Sequence, residues 1–316
     1  MYVLFRKELS DHLASLRFLI IFVMALLLAG VSLYSAIGGL AANASSTDST
    51  TAATSYVFLS LFTTSNGSIP PMTTFIMLVG PLIGLLLGFD AINSERSGGT
   101  LDRLLAQPIH RDDVINGKFL AGVVVIAIIL ASMTLLIAGV GLFRIGIPPS
   151  GEEVVRVLVF LFFSIVYTSF WLGLAILLSI VSRHAATSVL SAVAIWLVFA
   201  LFMALIASGL AGALFPQDGT LAMTEKYLTF QQEFSRISPS FLYNEAIGTI
   251  LDPTTRTLGI TSFVQYEQLS AAVPGVLPLG QSLLLVWPHL IGMIAEMLVA
   301  FVISYIIFMK QEIRGA

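Results

Sequence analysis

The sequence predicts an all-α integral membrane protein with six transmembrane helices, and three observations carry that reading. Apolar residues make up 57% of the 316 and charged residues only 10%, against about a quarter in a soluble domain. Mean hydropathy is +0.96. The apolar residues also gather into six stretches, 18–40, 72–89, 119–143, 154–181, 188–215 and 283–309. Each is near or above the roughly 20 residues that a helix needs to cross the hydrocarbon. So few charges cannot cover a globule of this size in water, but they suit an outer surface that faces lipid. Residues 1–316 read as a single transmembrane domain.

The second stretch is the shortest and the richest in helix breakers, with Gly80, Pro81, Gly84 and Gly88. A run of glycines four apart lets another helix approach closely. It marks a tight contact within the subunit or one that slides.

Net charge is −3, and no basic patch with interleaved aromatics points to nucleic acid. Cysteine is absent, which removes disulfides, thiolate metal sites and cysteine nucleophiles together. Lysine and arginine placement sets orientation. With both termini in the cytoplasm of a cell-membrane protein, ten of the fifteen basic residues, Arg6 through Arg314, fall inside. Arg144 and Arg156 then fall in a short outer turn, and Lys226, Arg236 and Arg256 in a long outer loop. The loop 41–71 has no lysine or arginine.

Residues 1–17 place Leu4, Phe5, Leu9, Leu13 and Leu16 at helical spacing with Arg6, Lys7 and Asp11 opposite. That predicts an amphipathic helix in the inner headgroup layer, with a cytosolic extension of the first span as the alternative. The first apolar run is longer than a secretory signal and follows Glu8 and Asp11, so it reads as an uncleaved helix. The serine- and threonine-rich loop after it contains two Asn-x-Ser sequons, at Asn43 and Asn66. Segment 216–281 is far longer than a helix connection requires. Its Tyr227, Phe230, Phe234, Ile237, Phe241 and Leu242 predict a helical extracytoplasmic cap resting on the membrane before the sixth span.

The one sizeable cytosolic loop is 93–118. Gly98-Gly99 permits a sharp turn, and Thr100 can cap a following helix. Leu101, Leu104 and Leu105 make an apolar face opposite Asp102 and Arg103, and Pro108 stops that helix. A short helix with an exposed leucine face is suited to a partner's groove, or it packs on the membrane or its neighbours.

The pattern Glu95-x-x-x-Gly99-Thr100-Leu101-x-x-Leu104-Leu105-x-x-Pro108-x-x-Arg111, ending in Gly117-Lys118, resembles the permeases of ABC-2 type transporters, NosY-like members included. The likeness extends to the leading amphipathic helix, six spans, internal termini and a large outer loop before the last span. The resemblance implies that Glu95 through Arg111 contain a cytosolic coupling helix, between the second and third spans, that sits on a nucleotide-binding subunit. It also implies two copies of this chain, or a pair with a sister permease, working with two ATPase subunits, usually in export.

The chain carries no nucleotide site of its own. A phosphate loop needs a glycine five positions before Gly117 and Ser or Thr after Lys118, where Asp112 and Phe119 stand instead. ATP and magnesium therefore belong to the partner, and no cofactor is expected here.

Within the spans Glu296 is the one acidic residue far from an end, and intramembrane charge is expensive and usually functional. A polar neighbour is expected to pair with it. His289, Met293 and Met297 share its face and could hold a soft cation such as Cu(I), though methionine serves as readily to fill gaps. Asp90 and Glu95 lie where the second span leaves the membrane, so hydration explains them, and His184 reads as a headgroup contact. No His-Glu-x-x-His motif suggests an intramembrane enzyme. The competing readings are a secondary transporter or channel, which normally lines its spans with more ionisable groups, and a force-transmitting permease whose cap acts on an extracytoplasmic accessory protein.

Overall fold

The computed structural model describes residues 2–45, 56–99, 110–146, 148–216, 220–255, 258 and 276–310. Among these residues every regular element is a helix. Helix α1 (Tyr2–Leu13) leads into α2 (Leu16–Ser45), followed by the short α3 (Val57–Thr63), α4 (Met72–Gly88) and α5 (Asn93–Ser97). Then come α6 (Arg111–Ile145), α7 (Gly151–Val181) and α8 (Ala185–Leu197), which runs through a π-helical turn, Val198–Phe202, into α9 (Met203–Leu214). Helices α10 (Leu221–Ser235) and α11 (Pro239–Leu251) precede α12 (Leu279–Lys310). By length and composition, six of these helical segments can cross a membrane, namely those starting at Leu16, Met72, Arg111, Gly151, Ala185 and Leu279.

Each expected apolar stretch lies in one of these helices, and most helices run on past it, because polar ends can stay helical where they are capped. Helix α6 starts at Arg111 with Asp112 and Asp113 in its first turn, where negative charge suits the helix dipole. It ends on Gly146, left-handed at φ +74°, whose N–H returns to the Leu142 carbonyl, a glycine C-cap. Four residues on, Ser150 and Glu153 close a reciprocal capping box, with Glu153 N to Ser150 Oγ at 3.2 Å and Ser150 N to Glu153 Oε2 at 2.8 Å. The short turn is thus narrower than the sequence suggests. Arg156 lies outside it, in the second turn of α7 and fully buried, and Arg144 closes α6.

Helix α7 is the hub. Helices α4, α6, α11 and α12 pack against it, and its Phe160, Phe163, Tyr167 and Trp171 are among the largest fully buried side chains. The fourth span is therefore largely covered by protein, with Leu158 and Phe162 among the side chains left exposed, whereas Leu190, Leu201 and Leu205 of the fifth are exposed on a helix with few buried residues.

Part of the segment before the last span packs into the bundle. Helix α10 has few buried residues, but α11 buries Leu242, Tyr243, Ala246, Ile247, Ile250 and Leu251 against α7 and α12. Residues 242, 246 and 250 share one face at i, i+4 spacing, so Leu242, alone of the six residues named for the cap, is buried in the bundle, while Ile237 is exposed.

Candidate functional site

At the bundle end that carries the N-terminus, three elements meet on one lysine. Lys118, in the third turn of α6, places Nζ 3.0 Å from Glu8 Oε2 of α1 and 2.8 Å from Glu95 Oε1 of α5. The side chains of Lys118, Glu8 and Glu95 are only 8%, 9% and 14% exposed. Breaking such a buried pair by deleting one partner costs about 3–5 kcal/mol, because it leaves a charge stranded.

Helix α1 reaches this lysine because Gly117 stands beside it. A Cβ there would lie 3.4 Å from Leu4 Cδ2 and 3.5 Å from Phe5 N, so the missing side chain lets α1 lie close on α6. Leu4 and Glu8, one turn apart, are the two buried residues of α1. Burial pushes the Glu8 carboxyl up, but Lys118 and then Lys7, 3.3 Å from Oε1, outweigh it and hold the group below its ordinary range.

Beside the lysine, Arg17 at the start of α2 pairs with Asp90 and lies over the Phe89 ring, 5.7 Å from its centre. Asp90 and Glu95, expected to be satisfied by water alone, are both ion-paired. The backbone entering α5 is fixed as well. The amides of Ile92 and Asn93 both donate to Ser179 Oγ near the end of α7, at 3.0 and 3.1 Å.

Of the residues singled out in the loop, Glu95, Gly99 and Arg111 are described. Gly99 sits at φ +63°, a conformation that favours glycine. Arg111 opens α6 over the ring of Phe308, 5.9 Å from its centre. Thr100, Leu101, Leu104, Leu105 and Pro108 lie outside the described residues.

The glycines of α4 face α7. A Cβ on Gly80 would lie 2.9 Å from Thr168 Oγ1, on Gly84 2.6 Å from the Thr168 carbonyl oxygen, and on Gly88 2.8 Å from Ala175 Cβ. The contact joins the second and fourth spans of one chain.

Further along, a cavity of about 210 Å³ is lined by Met77, Phe199, Met203, Ser238, Ser240 and Asn244, among others. It opens beside the π-helical turn. The Phe199 carbonyl there accepts from Ser238 Oγ at 3.3 Å.

Glu296 is half-buried, and its buried Oε2 has no hydrogen-bond partner among the described residues, so the expected polar neighbour is not among them. His289 instead turns to α11. Its Nε2 lies 2.8 Å from Glu245 Oε2, which also accepts from Arg236 Nε at 2.9 Å, while Gln232 donates to Oε1 at 2.7 Å. Burial raises the Glu245 carboxyl, yet its bonds from His289, Arg236 and Gln232 hold it below the ordinary range. Met293 is buried and Met297 partly so, and among the described residues no group of three histidines or carboxylates converges as a metal site.

Another buried charge, assigned from the sequence to the short turn, is Arg156. It donates from Nη1 to the Ile250 carbonyl at 2.7 Å and to Ser282 Oγ at 3.2 Å. From Nη2 it donates to the Leu277 carbonyl at 2.6 Å and to Glu152 Oε1 at 2.9 Å. Its signal was an arginine one turn after Glu152, inside a helix of a chain with few charges.

Comparison with known proteins supports the family resemblance read from the sequence. The ABC-2 family transporter protein pattern matches residues 2–313. The chain is similar to the probable ABC transporter permease protein NosY of Pseudomonas aeruginosa, 35% identical over 124 residues, covering 39% of this chain and 38% of that protein. A probable NosY permease of Stutzerimonas stutzeri is 43% identical over 61 residues, 19% of this chain and 21% of the relative. The aligned regions thus span well under half of either curated relative. Because the family pattern runs over nearly the whole length, this chain belongs to the ABC-2 family of transporter proteins.

Proposed function

We propose that the chain is the membrane-spanning permease subunit of an ABC exporter, driven by ATP hydrolysis on a separate ATPase subunit. Two ATPase copies would act on a pair of permeases, this chain with itself or with a sister, in the cell membrane with both termini cytoplasmic. Segment 93–118 receives the drive. The single observation that carries this reading is the fastening of both flanks of that segment. Glu95 on one side is paired with Lys118 on the other, and Lys118 also holds Glu8, so a push on the intervening residues is delivered to α1, α5 and α6 together.

The positive-inside bias supports the orientation. Helix α1, with its two buried residues turned to α6 and Tyr2 and Val3 exposed, suits the cytosolic headgroup layer. Segment 221–251 then lies on the extracytoplasmic side, with α11 docked into the bundle. An extracytoplasmic accessory protein, if the complex uses one, would meet α10, which is the more exposed of the two helices.

Replacing Leu101 and Leu105 together by aspartate is expected to abolish co-purification of the ATPase subunit while leaving membrane insertion unchanged. Undiminished co-purification and ATP-dependent transport in that double variant would refute the assignment.

A further inference from the structure

We propose that Lys118 is a positioning residue for energy coupling, one that keeps Glu8 throughout the cycle and keeps Glu95 in only part of it. This deepens the reading above and rests on it, since the movement begins where the chain meets the ATPase.

The asymmetry is built into the three elements. Helix α1 is twelve residues long and lies against α6 with Gly117 permitting the approach and Val114 and Ile115 fully buried. Helix α5 is five residues long. Its backbone is pinned at Ile92 and Asn93 to Ser179, and it ends on Gly98 and Gly99, where a Cβ on Gly99 would meet nothing within 4 Å among the described residues. Helix α5 can therefore pivot about Asn93, while α1 cannot leave without exposing its packed face.

Charge makes the pivot feasible. One ammonium faces two carboxylates, so when Glu95 swings out, Lys118 still has Glu8 at 3.0 Å and no lone buried cation is created, which is the costly outcome. Glu95 is also the more exposed of the two acids and is hydrated once outside. A single acid on Lys118 would lock the junction; two let it exchange one partner for water while α1 and α6 stay joined.

The absence of cysteine makes a distance test direct. Val3, Ser97 and Leu120 are exposed, and cysteine pairs introduced at them can be spin-labelled in the complex reconstituted with its ATPase subunit in lipid nanodiscs. The Ser97→Cys to Leu120→Cys distance is expected to change between the nucleotide-free and ATP-bound complexes, and the Val3→Cys to Leu120→Cys distance to stay fixed. Glu95→Gln keeps the Glu8–Lys118 pair, so it should assemble normally and show the ATP-bound Ser97 distance already without nucleotide. Lys118→Met should broaden the Val3 distance, and Lys118→Arg should restore it. A Ser97 distance that ignores nucleotide, or a Glu95→Gln variant indistinguishable from the parent, in a complex that still contains the ATPase, overturns this inference and leaves the permease reading standing. A wild-type chain that never assembles with an ATPase subunit overturns both.

Discussion

Tyr167 donates its phenolic hydrogen to the Met77 carbonyl at 2.8 Å, the one carbonyl of α4 that Pro81 leaves without its helical partner. A proline in mid-helix has no N–H to give to the residue four positions earlier, and in lipid an unpaired carbonyl has no water to turn to. Tyr167 fills that vacancy from α7, bonds Ser240 Oγ at 2.9 Å, and stacks on Tyr243 with ring centres 4.5 Å apart. One hydroxyl thereby joins the second span, the fourth span and α11.

Tyr167→Phe should therefore destabilise the bundle by about 1–3 kcal/mol, the cost of orphaning a buried acceptor. Adding Pro81→Ala returns an N–H to the Met77 carbonyl and is expected to recover part of that loss. Thermal unfolding in detergent of the single and double variants measures both.

Gly84→Ala should be severe. The new Cβ would sit 2.6 Å from the Thr168 carbonyl oxygen and 2.9 Å from Leu172 N, both backbone atoms that cannot turn aside, so α4 and α7 must separate. Gly139→Ala, with nothing within 4 Å among the described residues, is the control and should be neutral or slightly stabilising, since alanine favours helix over glycine. Expression and melting temperature of the two alanine variants should diverge clearly.

Acid should release α1. The Glu8 carboxyl is held below its ordinary value of 4.5, so it favours the folded junction when ionised. That contribution is complete above about pH 4.5 and is lost as pH falls through the lower folded value. A fluorophore at Val3→Cys should report detachment of α1 in that acid window. Glu8→Gln should show a weaker attachment at neutral pH and no transition of its own there.

Arg156→Lys should behave as a radical change, although charge is conserved. The guanidinium serves Glu152, Ile250, Leu277 and Ser282 at once, and a lysine ammonium lacks that planar fork. The variant should lose about 2–4 kcal/mol, from carbonyls left without donors, and should be cleaved faster by protease between α11 and α12.

The helices were legible in the sequence because lipid imposes one simple demand, sustained apolarity over a fixed length, and each of the six stretches met it. Their ends were less so. Ser150 with Glu153 and Gly146 are capping signals that a hydropathy reading passes over. The junction at Lys118 was hidden for a different reason. Its partners come from 110 residues earlier and from a separate short helix, and nothing local distinguishes a hydrated glutamate at a span's end from a buried, paired one. Glu8 did leave a trace, since it falls one turn after Leu4 on the side of α1 that packs. His289 was read with Glu296 and the methionines on its own helix, whereas its partner Glu245 belongs to α11, whose insertion into the bundle no periodicity announced.

Arg156 has a further consequence for how the chain is made. Its helix leaves the ribosome long before Ile250, Leu277 and Ser282 exist, so a guanidinium in the second turn of the fourth span has only Glu152 for company while synthesis continues. That span cannot settle at its final depth until the C-terminal helix has been delivered. A nascent chain arrested short of residue 277 should therefore present α7 in a shallower, chaperone- or protease-accessible position, and release of the last helix should draw it in.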